Sequence, residues 1–456
     1  MIKGNSSSSP HTFFALVGLI TGLLLCILTP PLKAPDEISH YARAYEISQG
    51  VIVSPKEGAF GGSIIPDSII ALHTKYGYPA ACDVNNKASP QEIMAHLGDP
   101  LNPAQVSFFK NNATFYFPTV YLPASLVILI GRGLGASPLV MMYLVRLATM
   151  LVAVAITALA IRIAPIYKWL FVFLSLGTAA ATQRASLSAD SLTNAFALLL
   201  LAMALRLAFD PRHKLKARAL PALLAVSVFV ALAKQAYLVL PFALLIASPV
   251  FPKNRSFWMA FGLIAGTGLI AALGWNKATA HLNDYWDILT DAYPGEQIVW
   301  MMTHPFNMVA VLLRTVVPGL PAWLAQLFGN FGFCKEGSIY PVFNGLAFIT
   351  FLFLMFADTH AKISPTRWQR LVLLCVSLLC SLLVLIANYL INVKGNYTIE
   401  GIVGRYFVPV LPFFCAAGYN QLWKNKPSPT RAAQIAMLAS AALVLAQLAA
   451  VMMRYW

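Results

Sequence analysis

Residues 219–250 read ALPALLAVSVFVALAKQAYLVLPFALLIASPV. The run is apolar except around Lys234-Gln235, and it is longer than the roughly 20 residues one membrane crossing needs. Arg212, Lys214, Lys216 and Arg218 precede it, and Lys253 and Arg255 follow it. Cytoplasmic loops collect Lys and Arg, so both flanks belong inside. The stretch must therefore turn back on itself as a helical hairpin, with Lys234 near its outer tip.

The rest of the 456-residue chain follows the same pattern. It is 59% hydrophobic and 11% charged, with a mean hydropathy of +0.69. Soluble domains carry about 25% charged residues, so a soluble enzyme, a coiled coil and a disordered chain are excluded. The net charge of +15 reflects basic inner loops, and no basic run interleaved with aromatics suggests nucleic acid. Apolar stretches lie near 13–30, 118–134, 138–162, 169–186, 190–209, 219–234, 236–250, 257–276, 341–357, 370–391, 404–422 and 432–452. They lack the alternation of a β-barrel, so they read as helices. The first has no small-x-small cleavage site at Thr29-Pro30-Pro31-Leu32-Lys33 and reads as an uncleaved anchor.

Two further loops are basic, with Lys362, Arg367 and Arg370 in one and Lys424, Lys426 and Arg431 in the other. Against the twelve basic residues of these four loops stand only Asp210 and Asp358. Residues 33–117 hold 8 of the 17 acids. That first loop, a second large segment at 277–340, and 392–403 should face outward. Four apolar stretches between 117 and 210 would give the wrong parity, so one does not cross. Residues 118–134, short and broken by Pro118, Pro123 and Gly131, are the choice. The expectation is an all-α polytopic membrane protein, one integral domain over 1–456, with about eleven crossings and the N-terminus inside.

Polar chemistry concentrates on the outer side. Pro35-Asp36-Glu37 opens a helix just after the first span. Counting from Asp36, His40 and Arg43 fall at i+4 and i+7 on one face, with Glu37 beside them. Acids complementing the helix dipole would explain Asp36 and Glu37, but not His40 and Arg43. Gln183-Arg184-Ala185-Ser186-Leu187-Ser188-Ala189-Asp190 forms a polar turn, expensive in lipid; a structural Arg184–Asp190 pair is as good a reading as a site role. Lys234-Gln235-Ala236-Tyr237 and Arg405-Tyr406-Phe407-Val408-Pro409 would otherwise be snorkelling ends. Together Arg43, Arg184, Lys234 and Arg405 put cations where the positive-inside rule depletes them, which suggests an anionic ligand such as a lipid phosphate. No Walker loop, GxSxG, HExxH or CxxC occurs. Cys82 and Cys334 fall in outer segments. Two separate thiols are the simpler reading, and a bridge is the alternative.

These motifs, with Gln297…His304-Pro305 and Gly404-Arg405-Tyr406-Phe407-x-Pro409, resemble the DUF2142 family of bacterial membrane proteins, which is grouped with the GT-C glycosyltransferase superfamily. The resemblance runs from about 30 to 420. One departure is Gly329-Asn330-Phe331-Gly332-Phe333, where a Gly-Trp-Leu-Asp type sequence often found nearby in the family lacks its Trp and Asp. The resemblance implies a GT-C-like fold in the bacterial inner membrane with a periplasmic active site. It implies transfer of a sugar from a polyprenyl-phosphate donor to a cell-surface glycan such as O-antigen. Asp36 would be the catalytic base, with Glu37 as helper or alternate. His40, Arg43, Arg184, Lys234, Tyr237 and Arg405 would bind the donor phosphate, supported by Ser186, Asp190 and Tyr406. Some GT-C enzymes use a divalent metal; only Asp36, Glu37 and Asp190 could ligate one here, and none is assigned. The rival readings are a transporter or flippase of lipid-linked sugars, which typically shows internal repeats not evident here, and a non-enzymatic scaffold, which leaves the outer cations unexplained.

Overall fold

The computed structural model describes residues 9–77, 82–83, 85–210, 220–251, 253–282, 292–331, 338–360, 362–423 and 427–456. The basic run 212–218, Lys424, Lys426, Cys334, Gly332 and Phe333 lie outside these residues. The molecule is a helical polytopic membrane protein. Among the described residues, seven helices are long and apolar enough to cross a bilayer.

The chain opens with α1 (Pro10–Leu28). The outer segment that follows carries α2 (Glu37–Ser48), α3 (Asp67–Tyr76) and α4 (Pro90–Ala95). It also folds a small antiparallel sheet in the order β1 (Lys56–Glu57), β2 (Phe60–Pro66), β3 (Val106–Lys110), which the all-helical reading did not foresee. A 3-10 turn (Pro118–Tyr121) leads into α5 (Leu122–Gly133). Its 12 residues reach about 18 Å, short of the roughly 30 Å hydrocarbon core. The stretch expected not to cross is thus too short to do so, and it packs on α2.

Then come α6 (Pro138–Ile163), the pair α7 (Lys168–Leu176) and α8 (Thr178–Arg184) broken at Gly177, and α9 (Ala189–Phe209). The expected hairpin follows, with α10 (Leu220–Ala233) as its first limb. Lys234 is extended at the break, with φ −150° and ψ 141°. The returning limb, Gln235–Ala247 with Pro241 inside it, is a 13-residue 3-10 helix. The remaining helices are α11 (Arg255–Thr279), α12 (Pro294–Thr303), α13 (Pro305–Gly329), α14 (Pro341–Ala357), α15 (Arg367–Tyr389), α16 (Leu411–Ala417) and α17 (Pro429–Tyr455). Ser or Thr caps followed by Pro or a capping box start several of them: Ser137 accepts from Val140 N–H, Ser428 from Arg431 N–H, and Thr366 forms a capping box with Gln369.

The bundle has two distinct ends. At one, the Asp358 carboxylate accepts from the Trp169 and Leu170 amides, the Tyr167 hydroxyl donates to Met355 O, and Gln369 donates to Ile246 O. This end gathers the segments expected inside. The other end gathers the segments around Asp36, Asp190, Lys234 and Arg405 described below. The buried apolar core joins α1, α6 to α10, the 3-10 limb and α13 to α17. A smaller cluster seats α2 and α5 on the start of α6.

One expectation needs correction. The segment 277–340 contains α13, a 25-residue, mostly apolar helix that carries Arg314 and holds Pro318 and Pro321 inside it. Met308 and Val311 pack with Leu385 and Tyr389 at the close of α15. Further along, Thr315 Oγ1 accepts from Ile399 N–H at 2.9 Å and Gln326 Oε1 from Gly404 N–H at 2.6 Å. Asn344, in the first turn of α14, donates to Ala325 O at 2.9 Å. Such a helix is about 37 Å long. Its first half is met by segments from the Arg405 end of the bundle, whereas Leu327 and Phe328 at its close enter the central core, with the Phe328 ring 5.8 Å from Phe173 and 5.7 Å from Phe351. The segment thus carries a long packed helix and is not a loop throughout.

Cysteine pairing also departs from the simpler reading. Cys26, Cys375, Cys380 and Cys415 are free, whereas Cys82 is disulfide-bonded. The flanking segment is pinned to the close of α17: Ala88 N–H donates to Tyr455 O at 2.7 Å and Lys87 Nζ to Met453 O at 2.6 Å.

Candidate functional site

Asp36 precedes the first turn of α2 with a left-handed backbone, φ 58°. That conformation is uncommon for a residue with a Cβ, and it turns the carboxylate away from the helix it introduces. The side chain is 50% exposed and its Oδ2 accepts from Arg405 Nη2 at 2.7 Å. Arg405 sits in a 3-10 turn, Gly404–Phe407. A Cβ on Gly404 would lie 2.4 Å from the Trp323 carbonyl oxygen, so only glycine lets this turn press against α13. From below, the Tyr237 hydroxyl donates to Tyr406 O at 2.9 Å.

A second ion pair stands beside the first. Lys234, at the hairpin break, pairs with Asp190 in the first turn of α9. Asp190 also accepts from Gln183 Nε2 at 2.8 Å, and Asn194 donates to Gln183 in turn at 2.9 Å. The Tyr406 ring lies between the two cations, 5.3 Å from Lys234 Nζ and 5.5 Å from the Arg405 guanidinium. Tyr116 covers Lys234 on another side at 5.5 Å. Two acids and two cations thus share one aromatic plate, with the Asp36–Arg405 pair the more exposed.

The third wall is neutral. His40 Nδ1 and the Tyr121 hydroxyl are 2.6 Å apart, and the His40 ring lies 5.5 Å from Tyr116. Burial pushes the His40 imidazole down to about 4, against the upward pull of Asp36 and Asp190. Burial likewise pushes the Tyr121 phenol well up. Near pH 7 this wall carries no charge.

The structure brings together Asp36, His40, Asp190, Lys234, Tyr237, Arg405 and Tyr406. It separates the others. Glu37 is fully buried against Arg146, with Arg146 Nε to Oε1 at 2.7 Å and Nη2 to Oε2 at 2.5 Å, and it also takes the Leu187 amide at 3.1 Å. Arg146 spends its other donors on Cys26 O, Thr29 O and Pro30 O, where α1 ends. Both oxygens of Glu37 are occupied and shut from solvent, which removes it as helper or alternate base. Arg43 is turned into a separate buried group with Glu46 Oε2 (2.6 Å), Ser54 (3.1 Å) and Ile52 O (2.5 Å). Arg184 does not pair with Asp190; it donates to Ser175 O at 2.7 Å. Ser186 donates to Gln183 O at 3.1 Å and acts as a turn residue. The three carboxylates considered for a metal are kept apart by these partners, and no three His, Cys, Asp or Glu side chains converge among the described residues.

Arg146, Tyr116 and Tyr121 were not singled out from sequence, and Gln183 entered only as the first residue of the polar turn. Arg146 carried a signal: it is the one charge inside residues 138–161, and a lone intramembrane arginine demands a partner. The two tyrosines carried none.

A bundle of apolar helices with a charged, aromatic-flanked cluster at one end defines a polytopic membrane protein with a polar site at its mouth. The chain belongs to the family described as predicted membrane protein (DUF2142), whose model matches residues 19–414. No curated protein and no solved structure matches it.

Proposed function

We propose that the chain is a GT-C-type glycosyltransferase. It moves a sugar from a polyprenyl-phosphate donor to a cell-surface glycan such as O-antigen, at the periplasmic face of a bacterial inner membrane. The observation that carries this reading is the half-exposed Asp36 carboxylate held beside Arg405 and Lys234 at the mouth of the bundle. Glycosyl transfer needs that combination. As the acceptor hydroxyl attacks the anomeric carbon its proton passes to a carboxylate. The bond from that carbon to the phosphate oxygen breaks, and the charge growing on the phosphate needs cations. Asp36 supplies the first, and Arg405 with Lys234 the second.

The ion pairing adds an order of events. Asp36 is half-exposed, so water takes up part of what its carboxylate loses when a donor phosphate displaces it from Arg405. Displacement frees the base at the moment the donor is in place. His40 and Tyr121, both neutral, leave the local charge balance to the two ion pairs.

The test is a glycan comparison. A deletion strain and a strain carrying only Asp36→Asn should lose the same sugar from one surface glycan, with equal protein in the membrane. Purified protein should release polyprenyl phosphate from the donor only when acceptor is added. An unaltered glycan in the deletion strain, or full transfer by the Asp36→Asn protein, overturns the reading.

A further inference from the structure

Arg184 closes α8 and takes no part in the mouth described above. It is 5% exposed. One donor is used on Ser175 O, in the last turn of α7, and the Phe14 ring lies 5.4 Å from the guanidinium. Nε and Nη2 have no partner, and no carboxylate pairs with the group among the described residues. A buried guanidinium that is neither paired nor fully hydrogen-bonded is among the most expensive groups a fold can hold. Unlike Arg146, which spends donors on Glu37 and three carbonyls, Arg184 has capacity left over.

That capacity borders a cavity of about 50 Å³. On the same measure a water needs roughly 10–15 Å³, so the space holds a small polyatomic group and not a sugar. Its polar lining is Arg184, Ser191 and Asn194, and an apolar wall is formed by Phe171, Leu198 and Leu411 among others. Neither Lys234 nor Arg405 borders it. The geometry points to a second anion site: the Arg184 cavity receives the phosphate group of a lipid, with Nε and Nη2 as donors and the apolar wall against the first carbons of the chain. The cavity lies among α6, α7, α8, α9, α13 and α16, apolar elements of the bundle, which favours an anion carried on a lipid chain over a soluble one. This inference does not rest on the transferase reading. An isoprenoid phosphate and a bilayer glycerophospholipid offer the same chemistry.

The experiment is native mass spectrometry of the purified full chain, titrated separately with undecaprenyl phosphate and with phosphatidylglycerol. Arg184→Gln should retain one of the two lipids at least tenfold more weakly than wild type, the scale of one lost charge-assisted contact. The lipid that responds names the source. Leu411→Trp, which fills the apolar wall and keeps the charge, should show the same loss. Unchanged retention of both lipids by Arg184→Gln overturns the site; where that variant does not fold, unchanged retention by Leu411→Trp does so. The series is repeated in Arg405→Gln protein. A loss that persists there belongs to Arg184, and a loss that vanishes there assigns the lipid to the mouth and overturns the second site.

Discussion

Asp36 and Glu37 are neighbours in sequence, yet they serve two different regions of the molecule. Asp36 belongs to the open mouth, half-exposed, on one arginine of another segment. Glu37 belongs to a sealed clamp, with both oxygens on Arg146 and a backbone amide besides. The Asp36–Arg405 pair of the mouth can exchange partners because water reaches Asp36 and screens what is lost when the pair opens. The clamp cannot, because an opened buried pair leaves two uncompensated charges. Reactivity and rigidity thus follow from accessibility and not from residue type, and a single left-handed residue separates the two.

The sharpest way to break the comparison is Arg146→Met. It strands Glu37 and the three carbonyls at the end of α1, and removing one partner of a buried pair costs about 3–5 kcal/mol. Against a total stability of roughly 5–15 kcal/mol, folded protein should fall steeply in fluorescence-detected size exclusion. A normal yield and melting point would show that the clamp does not hold α1 to α2. Next comes Asp36→Asn, which should leave the stability within about 1 kcal/mol of wild type while cutting transfer by roughly 10²–10⁴-fold. If it unfolds the protein instead, the mouth is not exchangeable.

Arg405→Gln should weaken donor binding by about 1.5–3 kcal/mol, roughly 10- to 150-fold, read by titration with a polyprenyl-phosphate sugar. Lys234→Gln should do the same but also destabilise the fold, since Asp190 is buried and Asp36 is not. Equal stability of the two variants would erase the distinction. A further effect is on pH dependence. The His40 imidazole is held down at about 4 and returns to about 6.5 on unfolding. The unfolded chain therefore binds the proton between those values, so this contribution is full above pH 6.5 and is lost as pH falls towards 4. His40→Phe should flatten that part of the melting curve against pH, and an unchanged slope would place the titration elsewhere.

Much of this layout was legible from sequence. The hairpin at 219–250 followed from its length and flanking charges, and the grouping of Asp36, Lys234 and Arg405 from counting crossings. What failed did so for identifiable reasons. The wheel that put Arg43 with Asp36 began one residue too early, because Asp36 stands outside the helix with φ 58° and Arg43 pairs with Glu46 at i+3. The 277–340 segment hid α13, because Arg314, Thr315, Pro318 and Pro321 interrupt its apolar run. Tyr116 and Tyr121 are set by the third dimension alone.

The returning limb of the hairpin has a mechanical consequence. Its thirteen residues, at a 3-10 rise of about 2.0 Å each, reach roughly 26 Å, where an α-helix would reach about 20 Å. The slimmer coil gains the distance of about four residues. Its far end is tied by Gln369 to Ile246 O, and its near end begins at Lys234. Winding this limb into an α-helix would shorten it by roughly 6 Å and draw the ammonium inward by a comparable amount. The pitch of one short segment is therefore the gauge that sets how deep in the membrane that charge stands.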